Sequence, residues 1–207
     1  MELDKYIELI KYLINQHAIM SAKWDEYCLY NGIMQFNQKK TQIIDITSDP
    51  KLMESINSYW NYLNDNSGDY TIYLDKNDIR YRIKTANSIN SKIAKYINSN
   101  SEKGRVPVAK CLNDIFGARI ITNEYFDYNT IFEFISKHFP DLKCVASIKN
   151  GYNATHIYFK TDNYHFQWEL QIWSKKYEEA NLSSHIKHKE AYAKWENEFI
   201  PTQEGQL

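Results

Sequence analysis

Three short segments hold most of the side chains able to do chemistry, and each also admits an ordinary structural explanation. In Ile79-Arg80-Tyr81-Arg82-Ile83-Lys84, strand alternation gathers Arg80, Arg82 and Lys84 on one face, opposite Ile79, Tyr81 and Ile83. Three cations on a rigid surface, with Ser88 and Lys92 opening the next helical pattern, could receive a polyphosphate through charge, a hydroxyl and backbone amides. A solvated basic strand face explains the same residues. In Asn113-Asp114-Ile115-Phe116-Gly117-Ala118-Arg119 a carboxylate stands at the mouth of an apolar strand, where it could hold a hard divalent cation. A turn aspartate is the commoner tenant of such a position, and strict alternation from Asp114 turns Arg119 to the opposite face. In Phe166-Gln167-Trp168-Glu169-Leu170-Gln171-Ile172-Trp173, alternation sends Phe166, Trp168, Leu170 and Ile172 inward and lines the other face with Gln167, Glu169 and Gln171. The amides could orient Glu169 as a metal ligand or a base, or the face could simply be exposed.

A fourth segment, Lys149-Asn150-Gly151-Tyr152-Asn153-Ala154-Thr155-His156, reads as a tight Asn-Gly turn that presents Tyr152 on a loop. There its ring could stack on a nucleobase or pack as in any hairpin. His185 and His188, with Glu178 and Glu179 nearby, lack a third ligand at matching spacing and are not read as a metal site.

The elements that must position these groups follow from periodicity. Leu3, Ile7, Ile10, Leu13 and Ile14 recur at helical spacing, and Asp49-Pro50 is an N-cap followed by a first-turn proline, so residues 1–69 read as a helical N-terminal extension. Period-two patterning at 70–74 and 79–84 around a Lys-Asn-Asp turn predicts a hairpin, and residues 88–98 a helix. The polar loop 99–107, with its Gly and Pro, is expected to be mobile. Strands are expected at 118–122, 143–148, 156–161 and 165–173, with a helix at 128–139 between the first two. A closing helix from about 175 completes a core spanning 70–199, and 200–207 reads as a tail.

Composition bounds the rest. Among 207 residues, 43% are apolar and 15% aromatic, enough to fill one core. Twenty-five Lys and Arg against 26 Asp and Glu leave a net charge of -1, so any nucleic-acid contact must use a local patch such as Lys39-Lys40 or Lys175-Lys176. Cys28, Cys111 and Cys144 are widely spaced without a CxxC pair, which argues for reduced thiols and against zinc. Asp4, Lys5, Glu8 and Lys11 interrupt the first helix, so neither a signal peptide nor a membrane span is read there, and a cytoplasmic location is expected.

In motifs and in order, residues 70–195 resemble the synthetase domain of the RelA/SpoT family, which makes the alarmones (p)ppGpp. Arg82-Ile-Lys84-Thr-Ala-Asn-Ser88-Ile-Asn-Ser-Lys92 is similar to its ATP loop, and Asp114-Ile-Phe-Gly-Ala-Arg119 to its magnesium-aspartate strand. Asn150-Gly-Tyr152 with His156 is similar to its acceptor-base loop, and Glu169-Leu-Gln171-Ile to its catalytic-glutamate strand; Glu179 and His185 also fall at family positions. The resemblance implies an α+β fold of the nucleotidyltransferase kind, a mixed β-sheet flanked by helices. It implies ATP bound by Arg80, Arg82, Lys84, Ser88 and Lys92, and Mg²⁺ as cofactor on Asp114 and Glu169, which are also the catalytic pair. It implies an acceptor met by Asn150, Tyr152, His156 and Gln171, with the base stacked on Tyr152 and the 3′-hydroxyl activated by Glu169.

Two departures bear on the acceptor. Ile148 stands where the family usually has a lysine, Lys149 being displaced by one and so turned to the other face, and Trp173 stands where it usually has an arginine. Two missing cations would disfavour a free guanosine di- or triphosphate. They suit the branch of small toxic synthetases that pyrophosphorylate the 3′ CCA end of tRNA and are neutralised by a protein antitoxin. The alternatives are a (p)ppGpp synthetase using GDP or GTP, a sibling making an adenosine alarmone, and a catalytically inactive nucleotide-binding module.

Overall fold

The computed structural model describes residues 2–149 and 151–193, with side chains to residue 187. After a short turn at Glu2–Tyr6, α1 (Ile7–Asn31) buries Leu9, Ile10, Leu13, His17, Met20, Trp24 and Cys28, spaced three and four apart. It stops at Gly32, whose φ of 65° suits the left-handed cap and whose N–H bonds the Cys28 carbonyl. A single turn, α2 (Asp45–Ser48), precedes α3 (Pro50–Asp65), which starts as its sequence says: the Asp49 side chain accepts from the Lys51 N–H, with proline at the first position.

The next element departs from expectation. Residues 70–74 lie in a helix, α4 (Ser67–Lys76), and no hairpin forms. Tyr70 and Leu74, both fully buried, are i and i+4 as well as i and i+2+2, so a five-residue run of β-formers fits either period. Packing against the core decides for the helix, leaving Ile72 exposed. Past a left-handed Asp78, β1 (Arg80–Ile83) is a single edge strand.

Next come α5 (Ala86–Asn98), capped by the Thr85 hydroxyl on the Ser88 N–H, the one-turn α6 (Val108–Cys111) and β2 (Phe116–Thr122). They are followed by α7 (Tyr128–His138), capped by Asp127, β3 (Lys143–Lys149), β4 (Tyr152–Phe159), β5 (Trp168–Ser174) and α8 (Glu178–Ala193). The rest of the expected closing helix, and the tail, lie outside the described residues. The loop after α5, expected to be mobile, is tied down: Ile44 N–H bonds the Gly104 carbonyl at 3.0 Å and Ile43 N–H the Val106 carbonyl at 2.9 Å. Gly104 adopts a φ of +74°, and a Cβ there would sit 2.9 Å from the Ile44 Cβ.

The sheet runs β1-β2-β5-β4-β3, with β2 and β5 parallel and every other pair antiparallel, so the mixed sheet with flanking helices, an α+β fold, is as expected. Its centre is β5, all seven of whose residues are buried. Trp168, Leu170 and Ile172 join Leu13 and Trp24 of α1, Ile56 and Leu63 of α3 and Tyr70 of α4 in one core. The segments before residue 70 therefore cover one sheet face, and the indole N–H of Trp168 donates to the Tyr59 hydroxyl at 3.0 Å across that interface. Glu169 and Gln171, which alternation alone allows to be exposed, are covered on the other face, at 4% and 6% exposure. A central strand has neighbours on both edges and layers on both faces, so its polar positions must be partnered inside the molecule. Among the described residues no helix is long and apolar enough to cross a membrane.

Candidate active site

The face of β5 turned away from the α1 core opens into a cavity of about 650 Å³. Its walls include Arg82, Lys84, Ser88, Lys92, Asp114, Tyr152, His156, Glu169 and Gln171, so four segments far apart in the chain meet in one place. Arg80 lies next door, in a cleft of about 80 Å³ that shares Arg82, Glu169 and Gln171 with the cavity. Asn150 lies outside the described residues.

Asp114 is in the turn before β2 rather than in the strand. Lys84, whose N–H is fixed to the Ile115 carbonyl at 2.7 Å, brings its Nζ to 2.6 Å from Asp114 Oδ2. Lys92, one turn past Ser88 on α5, reaches Oδ1 at 3.0 Å, and the Arg82 guanidinium stands 3.7 Å from Oδ2. Burial by itself would push the Asp114 carboxyl up, but Lys92, Lys84 and Arg82 overcome this and hold it far below the usual carboxylate range. Burial likewise pulls the Lys84 ammonium below its ordinary value, against the opposing pull of Asp114. The turn position expected of a common aspartate is therefore combined with a cage of three cations.

Glu169 is the hub of a second network. His156 Nδ1 lies 2.7 Å from Oε1, the Gln171 amide donates to Oε2 at 2.7 Å, and Arg119 in turn donates to the Gln171 carbonyl oxygen at 3.1 and 3.2 Å. The other nitrogen of His156 meets the Tyr152 hydroxyl at 2.9 Å. Burial raises the Glu169 carboxyl, but His156 and the Gln171 amide outweigh it, so Glu169 too is held below its ordinary value. Tyr158, opposite Glu169 in register, has its hydroxyl pushed up by burial and then by that carboxylate. The result is an ionised, oriented carboxylate on the cavity wall, the state a proton acceptor or metal ligand needs.

Three readings of orientation change. Because β2 begins after Asp114, alternation does not run between them: Arg119 pairs with Gln171 and shares the site face. Lys149 also belongs to the site. The register of β3 on β4 sets Lys149 opposite Tyr152, so both side chains point the same way, and Lys149 lines the cavity while Ile148 is 67% exposed. The tight Asn-Gly turn read from the sequence implies that register. Tyr152 opens a strand instead of riding a loop, and its ring is set edge-on against His156, Trp173 and His185 at 5.4–5.9 Å. Trp173 is fully buried, with the Arg119 guanidinium 3.5 Å above its ring and His185 stacked at 5.4 Å. Tyr96, Lys110, Ser147 and Tyr158 complete the wall and had no signal stronger than their residue types.

The cavity wall carries two carboxylates, Asp114 and Glu169, the donor type Mg²⁺ takes together with phosphate oxygens and water. Among the described residues no group of three or more His, Cys, Asp or Glu could hold a metal without such help. His185 joins the aromatic cluster, and the side chain of His188 lies outside the described residues.

Residues 81–196 match a family model described as the region found in RelA / SpoT proteins. No match to a curated protein is found. Among solved structures, small alarmone synthetase 1 from Bacillus subtilis is 21% identical, with 56% of this chain and 60% of that one covered and a TM-score of 0.35. Small alarmone synthetase 2 from the same organism is 20% identical over 73% of this chain and 84% of that one, with a TM-score of 0.37. The first enzyme bound to AMPCPP is 16% identical over 75% and 84%, with a TM-score of 0.36. The chain thus spans less than two thirds of the first of these.

Proposed function

The chain belongs to the RelA/SpoT family, and on that premise we propose that it is a pyrophosphokinase moving the β,γ-pyrophosphate of ATP onto a ribose 3′-hydroxyl. The observation that carries the reading is the pairing, in one cavity, of a cation-caged Asp114 with an amide- and imidazole-held Glu169. Lys84, Lys92 and Arg82 would neutralise the triphosphate, with Ser88 and the start of α5 beside it. Arg80 would add charge from the adjoining cleft. Mg²⁺, when bound to Asp114 and Glu169, would add charge neutralisation on the phosphates. Glu169 would take the proton of the 3′-hydroxyl as that oxygen bonds to the β-phosphorus and the bond to the α-phosphate oxygen breaks, releasing AMP. Tyr152, His156 and Gln171, together with Asn150, would meet and orient the acceptor.

For the acceptor we propose the 3′ CCA end of tRNA, which makes the protein a cytoplasmic toxin with a protein antitoxin as its partner. Its support is Trp173: an indole occupies the position where the family carries an arginine, and the Arg119 above it is already committed to Gln171. A specific observation favours a second reading, a (p)ppGpp synthetase using GDP or GTP. Lys149 reaches the cavity beside Tyr152, so one of the two cations read as missing is in place for acceptor phosphates. Incubation with labelled ATP and either deacylated tRNA or GDP and GTP separates the two. Label in tRNA alone is expected, and label in the guanine nucleotide alone refutes the tRNA reading.

A further inference from the structure

Beyond Arg119 the site continues into a second groove, of about 490 Å³, that the transfer of pyrophosphate does not require. The small cleft beside the cavity joins them: it shares Glu169 and Gln171 with the cavity, and Arg80 and Arg119 with the groove. The groove exists because β1 is short. Its last pair is Arg80 with Arg119, so past it the β1 edge of Ile120 and Ile121 is left without a strand and lines the groove.

Cations from three separate elements converge there: Lys5 from the N-terminal turn, Arg80 from β1 and Lys175 from the turn after β5, with side chains 52%, 61% and 66% exposed. Three acids face them, and one of these is shared. Arg80 and Lys175 both lean on Glu178, at 3.0 and 2.5 Å, Lys5 on Glu2 at 2.8 Å, and Asp78 is the other acid in the wall. Tyr6 and Tyr73 add aromatic surface, with Lys5 5.0 Å above the Tyr6 ring. Cations interleaved with rings, along a path that starts at the catalytic carboxylate, match a chain of phosphates and bases better than a compact ligand.

We infer that this groove holds the phosphodiester backbone of a polynucleotide acceptor on the 5′ side of its terminal nucleoside. The inference rests on the reading that Glu169 receives a 3′-hydroxyl. The nearest 5′-phosphate falls to Arg119, where the small cleft meets the groove, and the following phosphates to Lys5 and Lys175. A free nucleotide ends at its 5′-phosphates and has nothing to place at the two lysines. The N-terminal segment, which otherwise only covers the sheet, then contributes directly to acceptor choice.

The test compares the full chain with its K5A/K175A and K5R/K175R variants. Fluorescence anisotropy is read with a labelled single-stranded RNA ending in CCA, at two salt concentrations. Transfer from ATP is read with deacylated tRNA and with GDP. K5A/K175A should weaken RNA binding about five-fold and lower the salt slope by about 1.4, two phosphate contacts at about 0.7 each for single strands. It should slow transfer to tRNA in proportion, and K5R/K175R should retain both, which separates lost charge from lost fold. Unchanged RNA affinity and slope in K5A/K175A overturn the inference, as do a parent chain that binds no RNA and an equal fall in ATP binding by dialysis. Polyglutamate competing as well as RNA would assign the groove to an acidic protein and overturn it too. Lysine-dependent RNA binding without transfer to any acceptor would leave the groove standing and refute the pyrophosphokinase reading instead.

Discussion

Replacing Asp114 by Asn removes the counter-ion of two lysines without changing the shape of the site. Lys84 and Lys92 have side chains only 10% and 12% exposed and lie 2.6 and 3.0 Å from the carboxylate. At an effective dielectric of about 20, each contact has a gross attraction of roughly 5 kcal/mol, most of it offset in the parent by the desolvation of the three groups. Taking away the anion leaves that desolvation uncompensated, and removing one member of a buried pair typically costs about 3–5 kcal/mol. With a urea m-value of about 2–3 kcal/mol/M, the unfolding midpoint should fall by roughly 1.5 M. Arg82 adds little, since its side chain is 40% exposed. A second substitution, Lys84→Met, should recover a large part of the loss by removing the stranded charge. ATP added without metal should raise the midpoint of Asp114→Asn by more than it raises that of the parent, because phosphates take the carboxylate's place between the lysines. A midpoint within about 0.4 M of the parent, or equal stabilisation by ATP, would show that the lysines are not held by Asp114 and would refute the reasoning.

Glu169→Gln keeps the size of the side chain and the bond accepted from Gln171 but cannot accept a proton; turnover should drop by about 10²–10⁴ with ATP binding by dialysis within about two-fold, and turnover within ten-fold of the parent would remove Glu169 from the chemistry. Lys149→Ala should raise the KM for the acceptor several-fold and leave that for ATP unchanged, measured by varying each substrate in turn. His17 is buried between the Phe166 carbonyl and the Thr161 hydroxyl, and burial lowers it from 6.5 to about 4. Its folded value lies below the unfolded one, so the stability it contributes, about 3 kcal/mol, is complete above pH 6.5 and is lost as the pH falls towards 4. Unfolding free energies from urea melts at pH 7.5 and 5 should differ by about 2 kcal/mol more in the parent than in His17→Gln, and equal differences would contradict the assignment. Gly104→Ala forces a left-handed residue against Ile44 and should cost about 1–3 kcal/mol in urea melts with kcat unchanged; a neutral melt would show the loop free to shift.

Local chemistry made much of this legible before any coordinates. Asp49 before Pro50 and the apolar spacing of α1 state their helices outright, since caps and periodicity depend on nearby residues alone. The order of β-strand runs and the α+β character followed in the same way. Tyr70 and Leu74 were ambiguous because both periods bring them to one side, and only the ring contacts of Tyr70 with Phe116 and Trp168, distant in sequence, choose the helix. The pairing of Arg119 with Gln171 was hidden because it depends on where β2 starts. The partners of Glu169 come from the register of β4 on β5, and no property of the glutamate's own neighbours reports how His156 will be aligned.

The parallel pairing of β2 with β5 also fixes when the site can come into being. Between these adjacent strands the chain makes α7, β3 and β4, so the contact that brings Gly117 opposite Glu169 closes a loop of high sequence separation and belongs to the slow end of folding. A growing polypeptide can set Asp114, Lys84 and Lys92 together from neighbouring sequence, yet it has no Glu169 strand to dock until β5 has left the ribosome. Translation products cut short before that strand carry Lys84, Lys92 and Asp114 without Glu169, and the full cavity forms in a single late step.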